Sequence, residues 1–182
     1  QNIFINNFRG QLKITSKGIL KTKNLSGLVK GLKEKVNPLC FLRETDLTKP
    51  CKNIERISIN AKKNNKNQIE FAHELNLKVS NSINYESGST TTSTSSKDAL
   101  IQKKGVCQDF AHILISAARF NQLPARYVNG FLYEETVSGE NTTHAWVEIF
   151  INNLGWVAFD PSHKKCIDDK YIRISTGFDF ED

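Results

Sequence analysis

Residues 107 to 121 carry apolar side chains nearly all the way round a helix: Phe110, Ala111, Ile113, Leu114, Ile115, Ala117, Ala118 and Phe120. Such a segment cannot lie on a surface and must be covered on most of its faces. Pro124 prevents it from continuing. The material to cover it follows at once, in strand-like runs over Arg126 to Leu132, His144 to Ile151 and Trp156 to Asp160, with a last short run over Tyr171 to Ser175. The acidic, polar stretch Glu134 to Asn141 reads as a hairpin loop, and Asn153-Leu154-Gly155 as a tight turn. Helices come first and strands second. That order predicts an α+β domain with a central helix packed on an antiparallel sheet.

Upstream, Ile69, Ala72, Leu75, Val79 and Ile83 recur at steps of three and four, which predicts an amphipathic helix over Asn67 to Asn84. Helical patterning begins near Leu47. Ser87 to Ser96 is almost all serine and threonine and reads as a loop, either a plain linker or a flap over a site near Cys107. Ser95 stands three residues before Asp98, a capping-box spacing that starts a short helix through Ile101. Residues 1 to about 16 alternate apolar and polar, as in two strands turned at Gly10, and residues 17 to 45 read as loop and short strands. Residues 1–45 therefore form a lead-in β region and residues 46–182 the main domain.

Composition removes several classes of function. The chain has 182 residues, of which 38% are hydrophobic, with 11 Phe and 2 Trp, enough for a packed core. No run of eighteen apolar residues is present, so no membrane span is expected, and Gln1 to Phe8 lack the basic start and apolar stretch of a signal peptide. The charge of +6 comes from scattered lysines, densest at Lys30 to Lys35 and Lys62 to Lys66. No aromatic side chains interleave with them, so no nucleic-acid partner is expected. None of the four cysteines, Cys40, Cys51, Cys107 and Cys166, forms a CxxC pair, and a structural zinc site has little support. A Cys40–Cys51 disulfide fits on count alone, but a free Cys107 leaves no tidy pairing, so a reducing cytoplasm is the simpler expectation. Cys107, His112, His163 and Cys166 could be drawn into a metal set, but no spacing demands it. No cofactor or metal is expected.

Three residues point to chemistry. Cys107 follows Gly105-Val106 at the start of the apolar helix. There, unpaired N–H groups and the helix dipole favour a thiolate over the free thiol, whose pKa is about 8.5. The glycine allows a sharp entry and close substrate approach. His144 opens a strand, which holds an imidazole rigidly. Asp160 ends the next strand sixteen residues on, and Pro161 keeps it extended. A hairpin of that length brings the two within reach. Glu148 shares the strand with His144 but stands roughly 13 Å away, too far to orient the ring. Each residue alone has an ordinary structural reading. Together they make a nucleophile, a general base and acid, and an orienting carboxylate. Tyr85 is a candidate second oxyanion donor beside the Cys107 amide.

These residues carry a resemblance. The runs Gly105-Val106-Cys107-Gln108-Asp109-Phe110-Ala111-His112, Leu123-Pro124-Ala125-Arg126-Tyr127-Val128-Asn129-Gly130, His144-Ala145-Trp146-Val147-Glu148 and Gly155-Trp156-Val157-Ala158-Phe159-Asp160-Pro161 resemble, in order, the bacterial transglutaminase-like family of the papain-like cysteine enzyme superfamily. The resemblance covers most of residues 45–182. It implies a papain-like transglutaminase core, with Cys107 as nucleophile, His144 as base and acid and Asp160 as orienter. It also implies acyl transfer on peptide or carboxamide bonds through a thioester, with a peptide or protein as substrate. Hydrolysis, as in a protease or amidase, is the expected outcome. A glutamine–amine crosslinking transglutaminase and a non-catalytic binding module on the same fold are the alternatives. One departure is Asn121-Gln122, where the family often has a glycine after the cysteine helix.

Overall fold

The computed structural model describes residues 9–13, 15, 18–63, 67–133 and 142–182. Three helices build the wall against which the apolar one packs. A short 3-10 helix, Pro38–Leu42, leads to α1 (Lys52–Lys62) and α2 (Gln68–Ser80). Asn67 caps α2 by accepting from the Glu70 amide. The helix is shorter than its apolar spacing predicts, because the Asn81 N–H turns back onto the Leu77 and Val79 carbonyls. Ile83 is buried from the loop beyond, and Asn84 belongs to the next element.

That element, β1 (Asn84–Tyr85), is two residues long. The serine–threonine loop follows, and then α3 (Ser96–Gln102), where Ser95 accepts from the Asp98 amide as the spacing predicts. A second short strand, β2 (Lys104–Gly105), pairs in parallel with β1 and delivers the chain into α4 (Cys107–Phe120). Ile113, Leu114, Ile115, Ala117 and Ala118 of α4 have no exposed surface. Each large aliphatic among them contributes about 2 kcal/mol over an exposed one. α4 ends at Asn121, and Gln122 adopts φ 60°, the left-handed conformation that favours glycine.

The sheet comprises β3 (Ala125–Leu132), β4 (Thr142–Ile151), β5 (Gly155–Asp160), β6 (Lys165–Cys166) and β7 (Tyr171–Gly177). They lie antiparallel in the order β6-β5-β4-β3-β7. Ala125, Tyr127, Ala145, Val147, Ile149, Val157 and Phe159 pack on one face with α1, α2 and α4. Val128, Leu132, Trp146, Ala158 and Tyr171 form a second cluster with Val29 and Ile167. Residues 27–29 hold on to β5 through Ala158 N–H to the Gly27 carbonyl, 2.8 Å, and Val29 N–H to the Trp156 carbonyl, 3.0 Å. The α+β class and the helix-on-sheet packing agree with the sequence reading. The two strands expected near the N-terminus fall partly outside the described residues, and residues 9–13 and 15 form none. The 134–141 loop lies outside the described residues.

One buried cation ties the layers together. Arg119, on the last turn of α4, donates to the carbonyls of Phe41 (2.9 Å), Ala125 (2.9 Å) and Phe178 (2.7 Å) and to Thr48 Oγ1 (2.8 Å). Its side chain thus joins the 3-10 helix, the start of β3 and the C-terminal segment. Glu148 has no exposed surface and is held by Arg126 (2.6 Å) and Arg173 (2.8 Å). It belongs to this structural ion network and not to the His144 ring.

Candidate active site

Cys107 is the first residue of α4 and is half-buried. Its entry is fixed by Asp109, one turn in, whose Oδ2 accepts from the Val106 N–H at 2.8 Å and from Thr90 Oγ1 at 2.6 Å. A carboxylate at this position caps the helix from inside. Gly105 makes room for it: a Cβ there would stand 2.6 Å from Asp109 Cβ. The glycine therefore makes room for the cap at the sharp entry to α4. Burial raises the pKa of Asp109, partly offset by Thr90 and the Val106 amide. The serine–threonine loop is fastened to α4 twice, through Thr90 and through Gln108 Nε2 to the Thr92 carbonyl at 3.0 Å.

His144 is the third residue of β4, paired with Gly130 of β3. Its Nε2 lies 2.6 Å from Asp160 Oδ2. Asp160, the last residue of β5, is on a strand paired with β4. Burial alone would lower the imidazole's pKa. Hydrogen bonds with Asp160 and with Cys107, and the charges of both, outweigh it and push the pKa up to about 9. Burial alone would raise Asp160. Hydrogen bonds from His144, His163 and Ser162, with the His144 charge, hold its carboxyl well below the usual carboxylate range. The ring of His144 sits among Trp146, His163 and Tyr171, with centroids 6.3, 5.2 and 5.9 Å away.

The remaining singled-out residues stand elsewhere. Tyr85 is exposed in β1 and stacks with Phe110 at 6.3 Å. His112 is fully buried in α4. Its buried Nε2 accepts from the Phe180 N–H at 3.3 Å, and its ring tilts against Tyr127 at 5.4 Å. His73 packs edge-on to Phe159. Cys166 lies in β6, where burial pushes its thiol up to about 11. The metal set considered from the sequence is thus dispersed. His144, Asp160 and His163 do present three ligand atoms within 4.8 Å of one another. Their separations from Asp160 Oδ2, 2.6 and 2.8 Å, are hydrogen-bond lengths. Tetrahedral zinc ligands, at about 2.1 Å from the metal, stand about 3.4 Å apart.

Sequence reasoning missed two of these neighbours. His163 Nδ1 lies 2.8 Å from Asp160 Oδ2, and Tyr171 donates to the same oxygen at 2.7 Å. The Asp160-Pro161-Ser162-His163 run carried a signal for the first. An aspartate that accepts from amides two and three residues on folds the chain back over its own side chain.

A strand-borne histidine–aspartate pair and a cysteine at a helix start, on an α+β core, point to one class of protein. The family model of the transglutaminase-like superfamily matches residues 55–161, and the chain belongs to that superfamily. An uncharacterized protein of Mycobacterium tuberculosis is 33% identical over 124 residues, covering 63% of this chain and 40% of its own length. One from Mycobacterium leprae is 37% identical over 105 residues, covering 55% and 37%. The chain thus spans about two fifths of these relatives. Among solved structures, a candidate cysteine protease from Cytophaga hutchinsonii superposes with a TM-score of 0.65 at 26% identity, over 84% of this chain and 51% of that one. The periplasmic domain of TgpA from Pseudomonas aeruginosa shares the fold, with a TM-score of 0.53 at 19% identity, over 71% and 49%. Among the described residues, no helix is long and apolar enough to cross a membrane.

Proposed function

We propose that this chain is the core of a cysteine-nucleophile acyl-transfer enzyme that cleaves peptide or carboxamide bonds by hydrolysis. The observation that carries the reading is the 2.6 Å His144–Asp160 contact on an imidazole whose proton affinity Cys107 also raises. Asp160 and Cys107 both favour the protonated form of that ring, the form that gives a proton to a leaving amine. Likeness to a candidate cysteine protease supports hydrolysis as the outcome.

The steps follow from these roles. The Cys107 sulfur attacks the carbonyl carbon and forms a C–S bond. The oxyanion is met by the Cys107 N–H, which at the first helical position has no partner inside the helix. His144 gives its proton to the departing amine, the C–N bond breaks, and a thioester remains. Water then loses a proton to His144 and attacks, the C–S bond breaks, and acid is released. Asp160 keeps one ring nitrogen occupied, so the other faces the sulfur.

The test is a glutamine-containing peptide supplied with a labelled amine, scored for released ammonia, cleaved peptide and incorporated label. Cys107→Ala and His144→Ala are each expected to lose at least about a thousandfold in rate. Turnover within tenfold of wild type in Cys107→Ala would sink the proposal. Label incorporation outrunning release would move the reading to amine transfer. For a binding module on this fold, the pH dependence of Cys107 alkylation by iodoacetamide would be the same with and without His144.

A further inference from the structure

Asp160 receives more donors than the orientation of one ring requires. Its Oδ2 faces His144 Nε2 at 2.6 Å, Tyr171 Oη at 2.7 Å and His163 Nδ1 at 2.8 Å. Its Oδ1 takes Ser162 Oγ at 2.6 Å, Ser162 N–H at 2.9 Å and His163 N–H at 3.2 Å. A carboxylate offers roughly four lone-pair sites, about two on each oxygen, so three donors on Oδ2 compete. We propose that His163 and Tyr171 are positioning residues: they aim Asp160 at His144 and, by sharing Oδ2 with it, limit how tightly the carboxylate holds the imidazolium. This rests on the acyl-transfer reading above and extends it to two residues outside the Cys107, His144 and Asp160 set.

The two arrive by different routes. His163 is placed locally, by the turn whose amides close on Oδ1, and sits at the rim with its side chain 39% exposed. Tyr171 comes from the start of β7, which β3 and β4 separate from the Asp160 strand. Its ring is buried edge-on to Trp146 at 5.4 Å, which fixes the direction of the hydroxyl. Each donor favours the ionised carboxylate but draws charge away from the bond to His144. That balance suits an imidazole that must pass its proton on to a leaving amine. Too strong a grip would slow that step. The titratable groups bearing on the ring include Cys107, Asp160, His163 and Tyr171, with Lys165 Nζ 5.1 Å over the Tyr171 ring.

Tyr171→Phe removes the hydroxyl and keeps the ring. His163→Ala removes a donor, and His163→Asn returns an N–H near the Nδ1 position. Two readouts need no substrate: the NMR titration of the His144 ring, and the rate of Cys107 alkylation by iodoacetamide against pH. Tyr171→Phe and His163→Ala should each move the His144 midpoint upward by roughly half a pH unit, with the alkylation profile following. His163→Asn should bring the midpoint back close to wild type. Midpoints that stay put in folded Tyr171→Phe and His163→Ala, or that move down, overturn the inference. If Tyr171→Phe does not fold, the two His163 variants decide alone. Failure of the acyl-transfer reading would show separately, as turnover that survives Cys107→Ala.

Discussion

Alanine at Gly130 should damage both the fold and the site. Gly130 pairs with His144 across β3 and β4, and the register with β7 breaks between Asn129 and Gly130. A methyl group on Gly130 would stand 2.1 Å from the Ile172 carbonyl oxygen and 2.5 Å from Trp146 Cη2. Non-bonded carbons settle about 3.5–4.0 Å apart, so room is lacking by on the order of 1 Å on two sides. Neither side yields easily. One is the β7 backbone, and the other is a tryptophan with no exposed surface. Overpacking costs about 1–3 kcal/mol, and a backbone obstacle places this case near about 3. For a chain of this size each kcal/mol moves the melting temperature by about 2–4 °C, which gives a fall of roughly 6–12 °C. Trp146 also stacks on His144 and meets Tyr171 edge-on, so its displacement should slow Cys107 alkylation at 20 °C, where the variant is still folded. Calorimetry and iodoacetamide labelling read the two effects. A Gly130→Ala protein melting within about 2 °C of wild type would refute the reasoning.

Two further expectations concern buried polar groups. Burial, helped by Arg119 and opposed by Asp179, lowers the His112 pKa to about 4 from 6.5. Between those values the unfolded chain binds a proton that the folded one refuses. The contribution is therefore fully present above pH 6.5 and lost as pH falls towards 4, by about 3 kcal/mol. Urea unfolding across that window should show wild type losing this much more than His112→Gln, and equal losses would contradict the assignment. Arg119→Met should leave the Phe41, Ala125 and Phe178 carbonyls without their donor and cost about 3 kcal/mol or more in urea unfolding, whereas a change under about 1 kcal/mol would mean that water replaces it.

The parts of the molecule legible in the sequence are those set by local pattern. The apolar positions of residues 107 to 121 force a buried helix, and the period-two runs after it force a sheet to cover that helix. His144 and Asp160 could be paired on paper because one tight turn fixes how their strands align. The length of α2 was overestimated because the apolar spacing runs on through Ile83, whereas the helix ends where the Asn81 N–H turns back. β1, β2 and β6 are two residues each, too short to show a period. The part Gly105 plays in the cap was not legible because it depends on Asp109 folding back over the helix start, a contact between side chain and backbone that composition does not reveal.

Tyr171 was illegible for a deeper reason. Its hydroxyl reaches Asp160 past β3 and β4, a contact between strands that are not neighbours and that no local pattern signals. At Gly130, Ile172 and Trp146 both stand inside the space of a side chain. The same glycine faces His144 across the sheet. Trp146 meets the rings of both His144 and Tyr171, so what presses on it at Gly130 bears on two side chains bonded to Asp160. Substitutions along β3 and β7 that displace Trp146 or Tyr171 should therefore reach the imidazole without touching it.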